Sequence, residues 1–245
     1  MSAYEFIADI SIPLKFGWPQ PNAFGVDAAV AMTLGDTRDG SSVNFEQYTF
    51  IPHCNGTHTE CVGHITDERI SVRDCLKDVV MSALLVSVEP DEVASGDAVI
   101  SKDVLSIGGV QPPATAGGSD SLIVRTLPND DSKLSRTYDG DNIPPYFTAE
   151  AMRYIVECGF KHLLVDLPSI DRIFDEGRLE NHRIFWNVEV GSRAVTEQTR
   201  LHSTVTELIY VPDEIEDGKY FLNLQLAPFE ADAAPSRPVL LRAVD

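Results

Sequence analysis

At 245 residues, 43% hydrophobic and 23% charged, the chain is long enough to bury a substantial core and has an ordinary globular composition. With 38 acidic against 19 basic residues its formal net charge is −19, a surface field that repels phosphate backbones and anionic membranes and argues against both as partners. The N-terminus lacks a basic start followed by an apolar stretch, no run reaches the roughly 20 apolar residues of a membrane span, and the four cysteines form neither a CxxC pair nor a disulfide framework. A single cytoplasmic domain over residues 1–245 with reduced thiols is therefore expected, Cys75 and Cys158 serving as buried apolar fillers.

In chain order, residues 6–14 alternate apolar and polar side chains before a proline turn and predict a half-buried strand. Residues 17–27, with Gly17, Pro19, Pro21 and Gly25, must be loop; its Trp18 and Phe24, together with Phe45, are candidates for an aromatic pocket or for core packing. A strand is predicted over 43–51, and the apolar run 79–88 reads as a buried strand. Residues 100–105 suggest a short helix capped by Ser101. Residues 121–126 and 162–167 read as strands flanking a helix over 148–159, capped by Thr148 and closed by Gly159, which makes one crossover unit. Strands over 204–211, 220–226 and 239–244 complete an α/β chain with more strand than helix.

Chemistry concentrates in the segment from His53 to His64, where three of the six histidines fall within twelve residues beside a thiol and a carboxylate. A lone histidine is more often a packing or surface residue, but this density favours a metal site. In an extended chain side chains two apart share a face, so Cys54, His58 and Glu60 point one way and His53 the other. Thiolate, imidazole and carboxylate together suit zinc, and imidazole with carboxylates also suits manganese or iron. One segment supplies three donors; His182, at a predicted helix start, and Glu207 are the choices for the rest. Glu207 interrupts an apolar strand, where an unpaired buried carboxylate costs several kcal/mol, so it is either exposed at an edge or bound to a cation. A competing reading makes Cys54 or Cys61 a nucleophile activated by His58 or His64.

The run from Cys54 to His64 lies without a gap over the His-x-Gly-Thr-His-x-Asp-x-Pro-x-His motif of the metal-dependent cyclase family, which includes bacterial kynurenine formamidase and isatin hydrolase. The resemblance extends to Asp9–Leu14 as the opening strand and to Asp166–Asp171 as the Asp-x-x-Ser-x-Asp segment. It continues through Asn181–Arg183, Glu207-Leu208, and Ala233–Pro238 as the closing Ala-Pro-x-Arg region. It implies a swivelling β/β/α fold and hydrolysis of a small-molecule amide, formamide or lactam by metal-activated water. By the same resemblance Cys54 and His58 hold one ion, Glu60 bridges, and His182 with Glu207 holds a second. His64 is then the general acid/base, the cofactor is Zn2+, or alternatively Mn2+, as one or two ions, and the assembly is a homodimer or homotetramer. The alternative is a catalytically degenerate member that binds a small molecule or a metal.

Three departures from the motif stand out: Cys54 replaces His, Glu60 replaces Asp, and Val62 replaces Pro. A thiolate favours zinc and, by adding negative charge, makes the ion a weaker Lewis acid. Residues 189–203 read as an insertion serving as a lid or subunit contact, and His202 within it competes with His182 as a ligand.

Overall fold

A computed structural model describes residues 3–112 and 118–244; Met1 and Ser2, part of the N-terminal stretch considered above, lie outside them. Eight strands form the main sheet: β1 (Ala3–Asp9), β2 (His58–Glu60), β3 (Val80–Val88), β4 (Ser121–Thr126), β5 (His162–Val165), β6 (Thr204–Glu207), β7 (Gly218–Leu226) and β8 (Ala233–Val244). Their order is β1-β8-β7-β3-β4-β5-β6-β2, and β2 also pairs with β8, so seven strands close into a barrel with β1 added outside the ring along β8. Strands β3 to β6 run parallel to one another, while β7 joins β3, and β2 joins β6 and β8, in antiparallel pairs, as β7 also does with β8.

Parallel neighbours need crossovers, and helices supply them. Helix α1 (Lys102–Ile107) lies between β3 and β4, α2 (Ala149–Glu157) between β4 and β5, and α3 (Glu180–Trp186) between β5 and β6. The predicted crossover unit is thus present, and both predicted caps form: the Ser101 and Thr148 hydroxyls accept the amides of Val104 and Ala151. Side-chain alternation along the strands divides the core in two. Leu122, Val124, Leu163, Val165 and Val205 pack with helix residues such as Leu105, Met152, Ile155 and Trp186, while Ile123 and Leu164 join Leu85, Leu222 and Leu240 in a second cluster.

Three sequence expectations are corrected. The predicted strand 43–51 shortens to Phe45–Thr49, which pairs with an unforeseen strand, Val30–Gly35, in an exposed hairpin outside the barrel. The strand predicted over 204–211 stops at Glu207, because Leu208 adopts a left-handed backbone with φ of 54°. Residues 52–60 are not uniformly extended either: Pro52–Asn55 form a helical turn before β2 begins. No described helix is long and apolar enough to cross a membrane.

Candidate metal centre

Strand register sets the base of the site. His58 lies opposite Glu207 and Glu60 opposite Val205 across the antiparallel β2–β6 pair, so these four share a face. Val205 belongs to the helix-side core, so His58, Glu60 and Glu207 project toward the layer that holds α3. On the other face Thr59 and Thr206 join their hydroxyls at 2.7 Å. Thr57 fixes the approach to β2, its hydroxyl accepting the Ile12 amide at 2.7 Å and donating to the Leu208 carbonyl.

Helix α3 brings His182 down onto this face. Its N-terminus has no side-chain cap from Leu179; instead the Asp171 carboxylate accepts the backbone amides of Asn181 at 2.7 Å and His182 at 3.2 Å. The same carboxylate accepts a hydrogen bond from His182 Nδ1 at 2.6 Å, which fixes the ring and leaves Nε2 2.8 Å from Glu60 Oε1 and 3.7 Å from Glu207 Oε1. Asp171 therefore satisfies a helix end and orients an imidazole together.

His58 is held in the same manner. Its Nδ1 donates to the Gly56 carbonyl at 3.0 Å, so Nε2 carries the lone pair. That atom is buried, makes no hydrogen bond among the described residues, and stands 3.5 Å from Glu207 Oε2. The other Glu207 oxygen accepts the Ile170 amide at 2.9 Å. One ligand atom each from Glu60, His182 and Glu207 lie within 4.8 Å of one another, and so do those of His53, His58 and Glu60. An unpartnered buried imidazole nitrogen facing two buried carboxylates fits a divalent cation held by nitrogen and oxygen donors.

Carboxylates dominate the charge of the group. Burial opposes charge on both Glu60 and His182, yet their partners prevail: His64 and then His182 hold Glu60 well below the ordinary carboxylate range, and Glu60 and then Asp171 hold His182 well above the ordinary imidazole range. Burial would likewise lower His53, but Asp232 and Glu60 outweigh it and raise it to about 10. The Asp232 carboxyl is depressed by its hydrogen bonds from His53 and His64. Burial, then Glu207, pushes the Cys54 thiol up to about 11.

These side chains line a cavity of about 670 Å³, a size suited to a small molecule. His53, Cys54, Glu60, His64, His182 and Glu207 form its polar wall; Phe24, Ile51, Pro168, Phe174 and Leu179 supply apolar surface. Phe24 and Phe174 meet edge to face at 6.1 Å. The wall at 174–179 is unusually bent, with Phe174, Glu176 and Leu179 all at positive φ. Asp175 holds it by accepting the amides of Gly177 at 2.8 Å and Leu179 at 2.6 Å.

The residues singled out from sequence are thus distributed as follows. His58, Glu60, His182 and Glu207 converge, and His64 lines the cavity with Nδ1 3.8 Å from Glu60 Oε2. Cys54 borders the cavity but joins no set of converging donors among the described residues. The extended-chain argument that turned His53 away is overturned: with Pro52 opening a helical turn, His53 Nδ1 lies 3.0 Å from Glu60 Oε2. Pro at the first helical position was the available signal. Asp171 and Asp232 also went unassigned, although Asp171 ends the recognised Asp-x-x-Ser-x-Asp segment.

Other expected residues lie away from the cavity. Trp18 and Phe45 are exposed and only Phe24 reaches the cavity. No residue of 189–203 lines it; instead Arg200 donates to the Phe185 carbonyl and the Trp186 indole to the Ser203 carbonyl, binding that segment to α3. His202 turns to the Cys75 carbonyl at 3.3 Å, away from the cavity. A cysteine nucleophile finds no support: Cys61 is buried with Cys75 and Val72, and the Cys54 thiol is held protonated, the reverse of activation.

Residues 8–172 match the family described as putative cyclase, and the chain belongs to that family. It is 26% identical over 244 residues to a kynurenine formamidase of Bacillus cytotoxicus, covering 98% of this chain and 99% of the relative. Among solved structures it is similar to a predicted metal-dependent hydrolase from Bacillus stearothermophilus, with a TM-score of 0.66, 18% identity and 98% coverage of each chain. It also resembles isatin hydrolase A from Ralstonia solanacearum, with a TM-score of 0.66, 14% identity, and 98% and 92% coverage. The expected swivelling β/β/α fold is accordingly the fold of this chain.

Proposed function

We propose that this chain is a metal-dependent hydrolase that cleaves the formamide, lactam or other amide-type bond of a small molecule. The observation that carries the reading is the buried Nε2 of His58, unpartnered beside Glu207 while His182 approaches Glu60 and Glu207 from the opposite element. The names of the relatives, a kynurenine formamidase and an isatin hydrolase, support a formamide or ring amide as substrate class. His58, Glu60, His182 and Glu207 would hold one or two ions, zinc or manganese, with Cys54 bordering the group. A divalent cation held there would lower the pKa of water toward neutrality and polarise the scissile carbonyl.

The chain's own residues perform the remainder. His64, in the cavity wall and oriented by Asp232 3.3 Å from its Nδ1, would take a proton from water and return it to the leaving nitrogen. Phe24, Phe174 and Leu179 would exclude water from the apolar part of the substrate.

The test is metal analysis of protein purified without chelator, followed by a screen over N-formyl aryl amines and cyclic amides. Bound metal and turnover are expected, with His64→Ala retaining the metal and losing about 10²-fold or more in kcat. Metal without turnover across the screen would instead favour a small-molecule or metal-binding protein, and absence of metal would end the proposal.

A further inference from the structure

We infer that this chain fills the first donor position of its motif segment with Nδ1 of His53 rather than with Cys54, and that Asp232 is the carboxylate positioning that imidazole. The inference rests on the metal-dependent reading above and concerns which residues carry it out.

Successive side chains on a helical turn diverge by about 100° rather than the 180° of a strand, so His53 and Cys54 are not on opposite faces of Pro52–Asn55. One ligand atom each from His53, His58 and Glu60 lie within 4.8 Å of one another, and the His53 and His58 rings meet edge to face at 5.2 Å. The buried, unpartnered Nε2 of His58 is an independent sign that this group is built around something absent from the protein's own hydrogen bonding.

The outer nitrogens repeat one pattern. His182 gives Nδ1 to Asp171 at 2.6 Å, His58 gives Nδ1 to the Gly56 carbonyl at 3.0 Å, and His53 gives Nε2 to Asp232 at 3.0 Å. An oxygen acceptor behind an imidazole, leaving its other nitrogen as lone-pair donor, is the usual support of a metal-ligating histidine. Cys54 has no place in a converging donor set among the described residues. Moreover, the carboxylates of Glu60, Asp171, Glu207 and Asp232 already crowd the imidazoles, and a thiolate would add another negative charge where a neutral ring adds none. The Cys at the motif's first position is thereby compensated by the histidine one residue earlier.

The test loads the full chain with Co2+ and records its near-ultraviolet absorption, where a cobalt–thiolate bond gives an intense sulfur-to-metal charge-transfer band. The expected spectrum lacks that band, and Cys54→Ser keeps the wild-type ion stoichiometry and affinity. His53→Ala and Asp232→Asn should each weaken cation affinity about 10–100-fold. A charge-transfer band abolished by Cys54→Ser, with His53→Ala binding as tightly as wild type, would overturn the inference and leave the hydrolase proposal standing. The wild-type spectrum decides even if His53→Ala does not fold, and a chain that takes up no cation would overturn both.

Discussion

Replacing Asp171 with Asn isolates the support behind one imidazole while nearly preserving shape. The carboxylate accepts three hydrogen bonds, from the amides of Asn181 and His182 and from His182 Nδ1. An asparagine retains one acceptor; if its oxygen stays on the Asn181 amide, where Oδ1 sits, its NH2 replaces Oδ2, faces the His182 amide and Nδ1, and forces Nδ1 to become the acceptor. The ring proton then moves to Nε2, the nitrogen that points at Glu60 and Glu207, and the lone pair needed by a cation is lost. Loss of such outer support lowers metal affinity by about 10–100-fold, equivalent to roughly 1.4–2.7 kcal/mol. Weakening the charge-assisted cap of α3 costs the ion-free protein a further ~1–2 kcal/mol, or roughly 2–4 °C in Tm for a chain of this size. Chelator-competition titration and thermal melts with and without ion separate the two effects. A lower Tm for the ion-free protein with unchanged affinity would show that Asp171 only caps the helix and would refute the argument about the ring proton.

Three further outcomes follow from the packing. Lys133, buried, donates to Asp166 at 2.7 Å and to the Thr126 carbonyl at 2.6 Å, so Lys133→Met leaves the buried Asp166 carboxylate with only the Thr126 amide and hydroxyl as donors and should cost about 3–5 kcal/mol by urea denaturation. Burial lowers the His162 pKa despite Asp78 nearby. The unfolded chain therefore binds the proton more readily, and the stability that this neutral ring contributes is present above its unfolded pKa of about 6.5 and lost as pH falls through the folded value. A His162→Gln variant should show a flatter decline of Tm below pH 6.5 than wild type, and identical slopes would count against the linkage. Gly63 leaves no room for a side chain, since a Cβ would run into the Ile70 carbonyl. Gly63→Ala should cost about 1–3 kcal/mol and, by shifting the turn that carries His64, reduce turnover more than it reduces metal content.

Much of this arrangement was legible before any coordinates. Continuous apolar runs identified β3, β4 and β5, because parallel strands covered on both sides need no polar alternation. Thr148 and Gly159 delimited α2, and the gapless motif with distant His182 and Glu207 named four side chains that the fold brings together. What escaped was local geometry and the outer support. A period-two argument applied through Pro52 misdirected His53, since a single helical turn changes which neighbours share a side. Asp171 and Asp232 act on rings eleven or more residues away, so no spacing rule reveals them. The Val30–Gly35 strand was hidden because its hairpin is exposed and carries no one-sided pattern.

Strand β2 is three residues long and is clasped by β6 on one flank and β8 on the other. It is the seam of the ring, and its ladder partners include Glu207. Sliding it by one position would exchange His58 and Glu60 for Thr59 on the helix side. Zipping this seam and assembling the donor group are therefore a single event during folding. Ion uptake should act as a latch, protecting the amides of residues 58–60 from solvent exchange more than those of the exposed 30–35 and 45–49 hairpin.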